Sequence, residues 1–138
     1  MSPSRVMPRY VVLFHEPPPE SGRASHWDVM FESGGVLRTW ALGEWPVGPC
    51  GVDAARLADH RIDYLTYEGP VSRGRGCVRR VDEGTYAIRE ASLDLFRVEL
   101  VGRAWSGAIR LAADGAAPPR WYCSPDSDDS ERSPNRID

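Results

Sequence analysis

Short apolar segments, separated by turn residues, recur along most of the chain. Val11–Phe14 is an apolar run of strand length, and His26–Glu32 alternates between two faces, as the period of a β-strand requires. The same two patterns predict strands throughout the body of the chain. The predicted strands are Val11–Phe14, His26–Glu32, Val36–Leu42, Ile62–Tyr67, Cys77–Val81, Thr85–Arg89, Ser92–Val101 and Ala104–Leu111.

The residues between these segments predict how the strands connect. Ser33-Gly34-Gly35 separates two alternating segments and predicts a hairpin, and Asp82-Glu83-Gly84 predicts another tight turn. Val52–Asp59 is the one segment with a helical pattern, and Asp53 is its candidate N-cap. A mainly β protein with one short helical segment is therefore predicted, arranged as a small antiparallel barrel or a sandwich.

The chain has 138 residues, and a single core usually serves about 100–150 residues, so we expect one domain. Residues 1–8 are expected to form a ragged N-terminus, and residues 9–122 the folded body. Residues 123–138 consist mostly of Ser, Asp, Pro and Arg, so we expect an acidic, disordered tail there.

The tail also accounts for the net charge. The chain has 17 basic residues, all of them arginine, and 20 acidic residues, and the tail holds two and five of these. Residues 1–122 are therefore neutral, with 15 of each sign. A neutral body does not indicate nucleic-acid binding by bulk charge, although a local arginine cluster can hold a few phosphates.

Several features of the sequence predict a cytoplasmic location. No apolar run approaches the roughly 20 residues that span a bilayer, and the N-terminus lacks the apolar stretch of a secretory signal. The three cysteines are widely spaced and contain no CxxC pair, so we expect reduced thiols. No membrane partner is expected.

Two of the three histidines border the clearest strand signals. His26 and Asp28 are two residues apart, so an imidazole and a carboxylate project from one strand face. His15 ends the preceding strand, and the Pro- and Gly-rich loop Glu16–Ser25 could fold it back beside the pair. Two imidazoles and one carboxylate suit Mn²⁺, Fe²⁺ or Zn²⁺. Spacing alone also allows that they are ordinary surface side chains of a strand.

A second cluster surrounds the third histidine. His60 has Tyr64 four residues ahead and Arg56 four residues behind. Imidazole can transfer a proton near neutral pH, and a phenol can hydrogen-bond a phosphoryl oxygen, so phosphate chemistry is one interpretation. The alternative is that His60 and Tyr64 only join a loop to the rest of the fold.

Taken together, these motifs resemble the 3′-phosphoesterase module of bacterial DNA ligase D and its stand-alone relatives. The similarity runs from about Tyr10 to Leu111, which is most of the chain, and the order of its motifs is more specific than any single one. The matching stretches are Tyr10–His15, His26–Glu32, Gly35–Leu42, Arg56–His60 with Tyr64, Tyr67–Gly69, Gly84–Tyr86 and Val98–Leu111.

The resemblance implies a small closed β-barrel and a Mn²⁺-dependent enzyme of DNA repair that removes a 3′-phosphate or a 3′-ribonucleotide. It implies DNA 3′ ends, with or without a terminal ribonucleotide, as substrates, and a repair ligase or polymerase as the partner that uses the 3′-OH. By position, the metal ligands are His15, His26 and Asp28. The matching catalytic positions are His60, Tyr64 and Arg56.

One departure from the family concerns the charge of the phosphate site. Family members usually carry arginine where this chain has Met30, on the same strand face as His26 and Asp28. Methionine offers neither charge nor a hydrogen-bond donor, and losing a charge-assisted contact costs about two orders of magnitude in rate or more. Arg38 and Arg75 are the candidates for a replacement contact with the substrate.

Two other functions stay open. A non-catalytic protein that binds DNA ends, or a scaffold, could use the same barrel, and Met30 favours this alternative. A cupin-like Fe(II) oxygenase could use His26, Asp28 and His60 as a facial triad. The gap of 34 residues between the two histidines and the short chain make the oxygenase the weaker alternative.

Overall fold

The computed structural model describes residues 7–44 and 51–126 of the chain. Within these ranges the fold is mainly β, as predicted, and the helical content is two short 3₁₀ segments, Pro19–Ser21 and Ile62–Leu65. The strands are β1 (Arg9–Glu16), β2 (His26–Ser33), β3 (Val36–Leu42), β4 (Val52–Arg61), β5 (Gly69–Pro70), β6 (Cys77–Ser92), β7 (Leu95–Gly102), β8 (Ser106–Ala113) and β9 (Trp121–Pro125).

Eight of these strands form a ring of antiparallel pairings. The order is β1-β2-β3-β4-β9-β8-β7-β6, and β6 pairs again with β1. This is possible because β6 is 16 residues long, so its first half pairs with β1 and its second half with β7. The short β5 pairs with the beginning of β6.

Side chains from seven strands meet inside the strand ring and form the inner core. Trp40 stacks on Phe96 with their ring centroids 5.3 Å apart, and Phe31 meets both rings edge-on. Such aromatic pairs contribute about 0.5–1.5 kcal/mol each beyond the burial of their area. The inner core consists of Tyr10, Val12, Val29, Phe31, Trp40, Leu42, Tyr86, Phe96, Val98, Leu100, Ile109, Leu111, Trp121 and Cys123.

A smaller outer cluster lies on the opposite face of β1, β2, β3 and β6. Strand alternation separates the two, since Val11 and Leu13 of β1 belong to the outer cluster while their neighbours belong to the inner core. The outer cluster consists of Val11, Leu13, Met30, Leu37, Leu65 and Val78. The same face continues along β1 to His15 and along β2 to Asp28, so this cluster leads to the candidate ligands.

The hairpin between β2 and β3 is confirmed. Ser33 pairs with Val36, which leaves Gly34 and Gly35 as the two turn residues. Their φ angles are 61° and 88°, and two consecutive positive φ angles are what a tight two-residue hairpin turn requires.

The helix predicted for Val52–Asp59 is wrong. This segment belongs to β4, which pairs with β3 on one side and with β9 on the other. Asp53 lies in the part of β4 that pairs with β9, so it is a strand residue and not a helix cap.

The strand predicted for Ile62–Tyr67 is also wrong, because Ile62–Leu65 forms a 3₁₀ segment. Residues three apart share a face in this conformation, so Ile62 and Leu65 both contact the outer cluster. In a strand, residues three apart would lie on opposite faces, so the 3₁₀ turn and not alternation brings Ile62 and Leu65 to the same cluster.

The turn predicted at Asp82-Glu83-Gly84 is wrong, since these residues lie within the continuous strand β6. A Cβ at Gly84 would lie 2.0 Å from the carbonyl oxygen of Val101. Glycine is therefore required there for a close approach of β6 and β7, at the point where β6 leaves β1.

Asp82 is a buried hydrogen-bond acceptor, not a turn residue. Its Oδ2 accepts the hydroxyl of Tyr10 at 2.7 Å and the amide of Trp105 at 3.1 Å. Its Oδ1 accepts the amides of Arg103 and Ala104 at 3.0 and 2.8 Å. The carboxylate thereby fastens the connection between β7 and β8 to β1.

The predicted boundary at residue 122 is too early. β9 continues through Pro125, Cys123 is buried in the inner core, and Asp126 forms an ion pair with Arg97 at 2.7 Å. The tail prediction is therefore wrong for residues 123–126. The tail stays a prediction for residues 127–138, which lie outside the described ranges. Residues 1–6 also lie outside them, so the ragged N-terminus stays a prediction as well.

Few structural features bear on cellular location. No helix within residues 7–44 and 51–126 is long and apolar enough to cross a membrane. Cys77 and Cys123 are free thiols, and Cys50 lies outside the described ranges. The cytoplasmic location stays a prediction.

Candidate metal centre

The register of β1 and β2 brings three candidate ligands together. His15 pairs directly with His26, and Asp28 lies two residues further along β2 on the same face. The centroids of the two imidazole rings are 4.8 Å apart, and the ligand atoms of all three residues lie within 4.8 Å of one another. Three donors therefore meet at one place on the outer face of the sheet.

Asp28 is the buried member of this group, with 3% of its surface exposed. Its Oδ1 lies 3.1 Å from His26 Nε2, and its Oδ2 lies 3.7 Å from His15 Nδ1. Contact with this carboxylate raises the pKa of His26 above its ordinary value, while burial lowers that pKa in part.

The buried Oδ1 of Asp28 has no aligned hydrogen-bond donor among the described residues. A buried anionic oxygen without a donor is costly, unless a cation or a hydrogen bond compensates its charge. Two imidazoles and one carboxylate are also a donor set that divalent transition metals prefer. The residues present therefore fit a divalent metal ion.

The backbone orients His15 for such a role. Its Nε2 lies 2.7 Å from the carbonyl oxygen of Arg75, so Nε2–H donates there and Nδ1 keeps its lone pair beside Asp28. A Cβ at Gly76 would lie 2.1 Å from the carbonyl oxygen of Glu16. Glycine at this position thus lets the loop approach the end of β1 closely enough to hold the imidazole.

A cleft of about 410 Å³ joins this group to the second predicted cluster. His15 and Asp28 line it together with His60 and Tyr64, whose ring centroids are 5.8 Å apart. The carbonyl oxygen of Ala58 lies 3.0 Å from His60 Nδ1, which leaves Nε2 for other contacts. His60 and Tyr64 meet because a strand passes into a 3₁₀ segment between them, not because they share a strand face.

A bulge in β4 directs His60 toward this cleft. Leu37 of β3 pairs with His60, but Thr39 pairs with Leu57 and Trp40 with Arg56, so β4 has one extra residue between these pairs. Leu37 belongs to the outer cluster and Trp40 to the inner core. Arg56 and His60 therefore lie on opposite faces of the sheet, although simple alternation would place them on the same face.

Arg56 and Arg38 do not line the cleft. The guanidinium of Arg56 lies 4.5 Å from the centroid of the Trp40 ring, and its Nη2 is 3.7 Å from Asp59 Oδ1. The guanidinium of Arg38 lies 4.3 Å from the centroid of the Phe96 ring. Burial lowers the pKa of Arg38, and the nearby positive charge of Arg56 adds to this effect. Both arginines belong to the side of the sheet that carries the inner core.

Arg75 does line the cleft, but its side chain is engaged within its own loop. Its Nε donates to the carbonyl oxygen of Ser72 at 2.9 Å, and its Nη2 donates to the hydroxyl of Ser72 at 3.1 Å. The contribution of Arg75 that the structure shows is therefore its backbone carbonyl, which holds His15.

Two further arginines in the cleft are not among the predicted site residues. Arg61 and Arg73 line it, and within the described part of the chain neither guanidinium has a hydrogen bond or ion pair. Met30, which replaces the expected arginine, also lines the cleft and is 1% exposed. The only sequence signals for the two arginines are the position of Arg61 next to His60 and the basic, glycine-rich loop around Arg73.

Comparison with known proteins shows the family to which the chain belongs. A family model described as the DNA ligase D 3′-phosphoesterase domain matches residues 20–117. The chain belongs to this family. Seven of the eight candidate residues lie within the match, namely His26, Asp28, Arg38, Arg56, His60, Tyr64 and Arg75. His15 precedes the match and joins the site through the pairing of β1 with β2.

The chain is also similar to a longer protein of Pseudomonas aeruginosa, the multifunctional non-homologous end joining protein LigD. The two are 28% identical over an alignment 149 residues long, gaps included, and this alignment covers 94% of this chain and 16% of that protein. The chain thus spans about one sixth of the length of this relative.

Proposed function

We propose that this chain is a metal-dependent phosphoesterase of DNA repair that trims nucleic-acid 3′ ends by removing a 3′-phosphate or a 3′-ribonucleotide. The observation that carries the proposal is the buried Asp28, whose Oδ1 has no aligned donor among the described residues and whose carboxylate lies beside His15 and His26, in the cleft that holds His60. Membership of the DNA ligase D 3′-phosphoesterase domain family supports the reaction class. We further propose that the ring of eight strands is a closed barrel.

His15, His26 and Asp28 would hold the metal ion, and Mn²⁺ is the ion we propose. Such an ion, when bound, lowers the pKa of a water ligand and offsets the negative charge of a phosphoryl group. The hydrogen bond from His15 Nε2 to the Arg75 carbonyl keeps this imidazole in the correct tautomer and orientation.

The other candidate residues would act on the phosphate ester itself. His60 would donate its Nδ1 hydrogen to the carbonyl of Ala58, and the doubly protonated ring would hold at Nε2 the proton that the leaving oxygen takes. Tyr64 would donate its hydroxyl hydrogen to a phosphoryl oxygen. Arg56 would act as a positioning residue, because its ion pair with Asp59 offsets a carboxylate that lines the cleft.

The substrates would be DNA 3′ ends, with or without a terminal ribonucleotide. The product would carry a 3′-OH, which is the group that a repair ligase or polymerase needs. The similarity to an end-joining protein supports such a place in repair.

The decisive experiment measures phosphate release from a primer–template with a 3′-phosphate, with and without Mn²⁺. We expect release only with the metal, and we expect His26→Ala to lose both release and Mn²⁺ binding in calorimetry. His60→Ala is the matched histidine variant, which should lose release and keep Mn²⁺ binding. Absence of release by the wild-type chain, together with Mn²⁺ binding that His26→Ala leaves unchanged, would refute the proposal.

A non-catalytic end-binding protein is the second candidate, and Met30 is the observation that favours it. Met30 is buried in the outer cluster and places no charge in the cleft. Tight binding of a 3′-phosphate end without turnover would support this alternative. The oxygenase triad has no comparable support, because the donor group found among the described residues contains His15 and not His60.

A further inference from the structure

The loop between β5 and β6 forms part of the cleft wall and is held in place by several hydrogen bonds. The amide of Val71 donates to the carbonyl oxygen of Gly76 at 2.7 Å, and the side chain of Arg75 donates twice to Ser72. The carbonyl oxygen of Arg75 accepts the Nε2 hydrogen of His15 at 2.7 Å. The backbone of this loop is therefore fixed relative to one of the candidate metal ligands.

Arg73 lies in the turn of this loop, in an unusual backbone conformation. Its φ angle is 64°, and among the described residues it is the only one other than glycine with a positive φ. This left-handed conformation is unfavourable for an L-residue, and residues held in it are often found at functional sites. Gly74 follows with a φ of 66°. The backbone thus favours glycine at position 73 as well, and the arginine found there points to a use of its side chain.

The charged groups that line the cleft leave it with free positive charge. Of its carboxylates, Asp28 lies beside two imidazoles, and Asp59 forms an ion pair with an arginine outside the cleft. Arg75 is engaged within its own loop, whereas the guanidiniums of Arg61 and Arg73 have no hydrogen bond or ion pair among the described residues. The cleft can therefore take an anionic ligand.

The two free guanidiniums belong to different elements. Arg61 follows His60 at the end of β4, whereas Arg73 belongs to the loop that holds His15. Met30, on the sheet face of the metal ligands, carries no charge. Arg73 is therefore the free cation of the element that also orients a candidate metal ligand.

We propose that Arg73 binds the terminal 3′-phosphate of the substrate and thereby distinguishes the substrate from the 3′-OH product. This inference rests on the proposed function of the cleft, and it names the group that recognises the substrate. A terminal phosphate monoester carries a charge of about −1.5 to −2 at pH 7 and three free oxygens, which match the planar fork of a guanidinium. Hydrolysis removes this phosphate and its contact, so the product end is bound more weakly than the substrate end.

Equilibrium binding of the full chain in metal-free buffer tests this contact apart from hydrolysis. The probes are two primer–templates that differ only in a 3′-phosphate or a 3′-OH on the primer, each followed by fluorescence anisotropy. We expect the wild type to bind the phosphate-terminated primer about tenfold more tightly. Arg73→Gly should bind both ends equally, with the affinity that the wild type has for the 3′-OH end, because it removes the guanidinium and suits the backbone.

Two further variants and two further measurements separate the side chain from the loop. Arg73→Lys keeps a positive charge without the planar fork, so it should retain part of the preference. Arg110→Ala removes an exposed positive charge on β8, outside the cleft, and should retain the whole preference. The melting temperature of Arg73→Gly should equal or exceed that of the wild type, since glycine adopts a positive φ without steric cost. Its Mn²⁺ affinity should be unchanged, because a backbone carbonyl of the loop holds His15.

Several results would overturn the assignment of Arg73 even if phosphate release occurs. These are equal affinity of the wild type for both ends, an equal loss of affinity for both ends in Arg73→Gly, and a preference that persists in Arg73→Gly but disappears in Arg61→Ala. A fall in the melting temperature or the Mn²⁺ affinity of Arg73→Gly would also overturn it, because it would show that Arg73 maintains the loop.

Failure of the proposed function would give a different result. Loss of the preference in Arg73→Gly, without any metal-dependent release by the wild type, would support the phosphate contact and refute hydrolysis. If the wild type does release phosphate, Arg73→Gly should raise KM for the phosphate-terminated primer.

Discussion

Asp28 and Asp82 are each 3% exposed, yet their surroundings differ completely. Asp82 accepts four hydrogen bonds, from the Tyr10 hydroxyl and from three successive backbone amides. Asp28 has two imidazoles nearby, and its Oδ1 has no aligned donor within the described residues. Both oxygens of Asp82 accept hydrogen bonds from the fold. Asp28 Oδ1 lacks such a donor and can accept a ligand that the fold does not provide.

The difference shows how a buried charge can be assigned to stability or to function. A carboxylate with all its acceptor positions occupied stabilises the elements that supply the donors. A carboxylate that is buried without such donors lowers stability unless something binds to it. We therefore expect substitutions at Asp82 to change folding, and substitutions at Asp28 to change ligand binding.

The largest expected effect is that of Asp82→Ala. It leaves the Tyr10 hydroxyl and three amides without their acceptor, so we expect the free energy of unfolding to fall by about 4 kcal/mol. Urea denaturation measures this change, and Asp82→Asn, which keeps one acceptor oxygen, should lose less. A loss below about 1 kcal/mol would show that the donors find other partners.

Asp28→Asn should have the next largest effect, and only in the presence of metal. At Mn²⁺ concentrations about 100 times Kd, the wild type should gain about 2.7 kcal/mol of stability, and the variant should gain almost none. Without metal, the variant should unfold within about 1 kcal/mol of the wild type. The comparison would fail if metal-free Asp28→Asn were as unstable as Asp82→Ala.

Tyr10→Phe removes one of the four donors to Asp82 and keeps the aromatic ring in the inner core. We expect it to lower the free energy of unfolding by about 1–1.5 kcal/mol, since three donors still hold the carboxylate. Denaturation of Tyr10→Phe, Asp82→Ala and the double variant would measure how strongly the two positions are coupled.

The smallest expected effect is a pH dependence at Asp28. The carboxylate raises the pKa of His26, so this pair stabilises the metal-free protein fully below the unfolded pKa of about 6.5. That stability is lost as pH rises through the raised pKa of the folded state. Metal-free His26→Ala should therefore be less stable than the wild type at pH 6, by well under about 1 kcal/mol, and equal to it at pH 9. Asp82→Ala should show its deficit at both pH values.

Features set by alternation within a single segment could be predicted from the sequence. His26 and Asp28 share a face because they are two residues apart, and Gly34-Gly35 predicts its own turn. His15 lies beside His26 only because β1 and β2 pair in one particular register, and neither segment alone predicts that register. The sequence predicts this contact only if the loop Glu16–Ser25 folds back, and the pairing of His15 with His26 confirms that it does.

Features that depend on distant partners could not be predicted in this way. Asp82-Glu83-Gly84 has the composition of a turn, and only the donors from Tyr10 and the β7–β8 connection explain why Asp82 is buried in a strand. Arg56 was expected beside His60 on spacing alone. Because β4 has one extra residue, Arg56 lies on the face opposite to His60. The residue types at Ala58 and Asp59 do not predict a bulge.

The bulge in β4 also affects how the chain length of this segment can vary. Arg56 and His60 occupy opposite faces only because the extra residue offsets an even spacing. A chain shortened by one residue between Leu57 and His60 would have an odd spacing, and plain alternation would still place His60 opposite Leu37. Deletion of Ala58 should therefore preserve the side of the sheet on which the imidazole stands, and homologues that differ by one residue here would share the site despite a gap in their alignment.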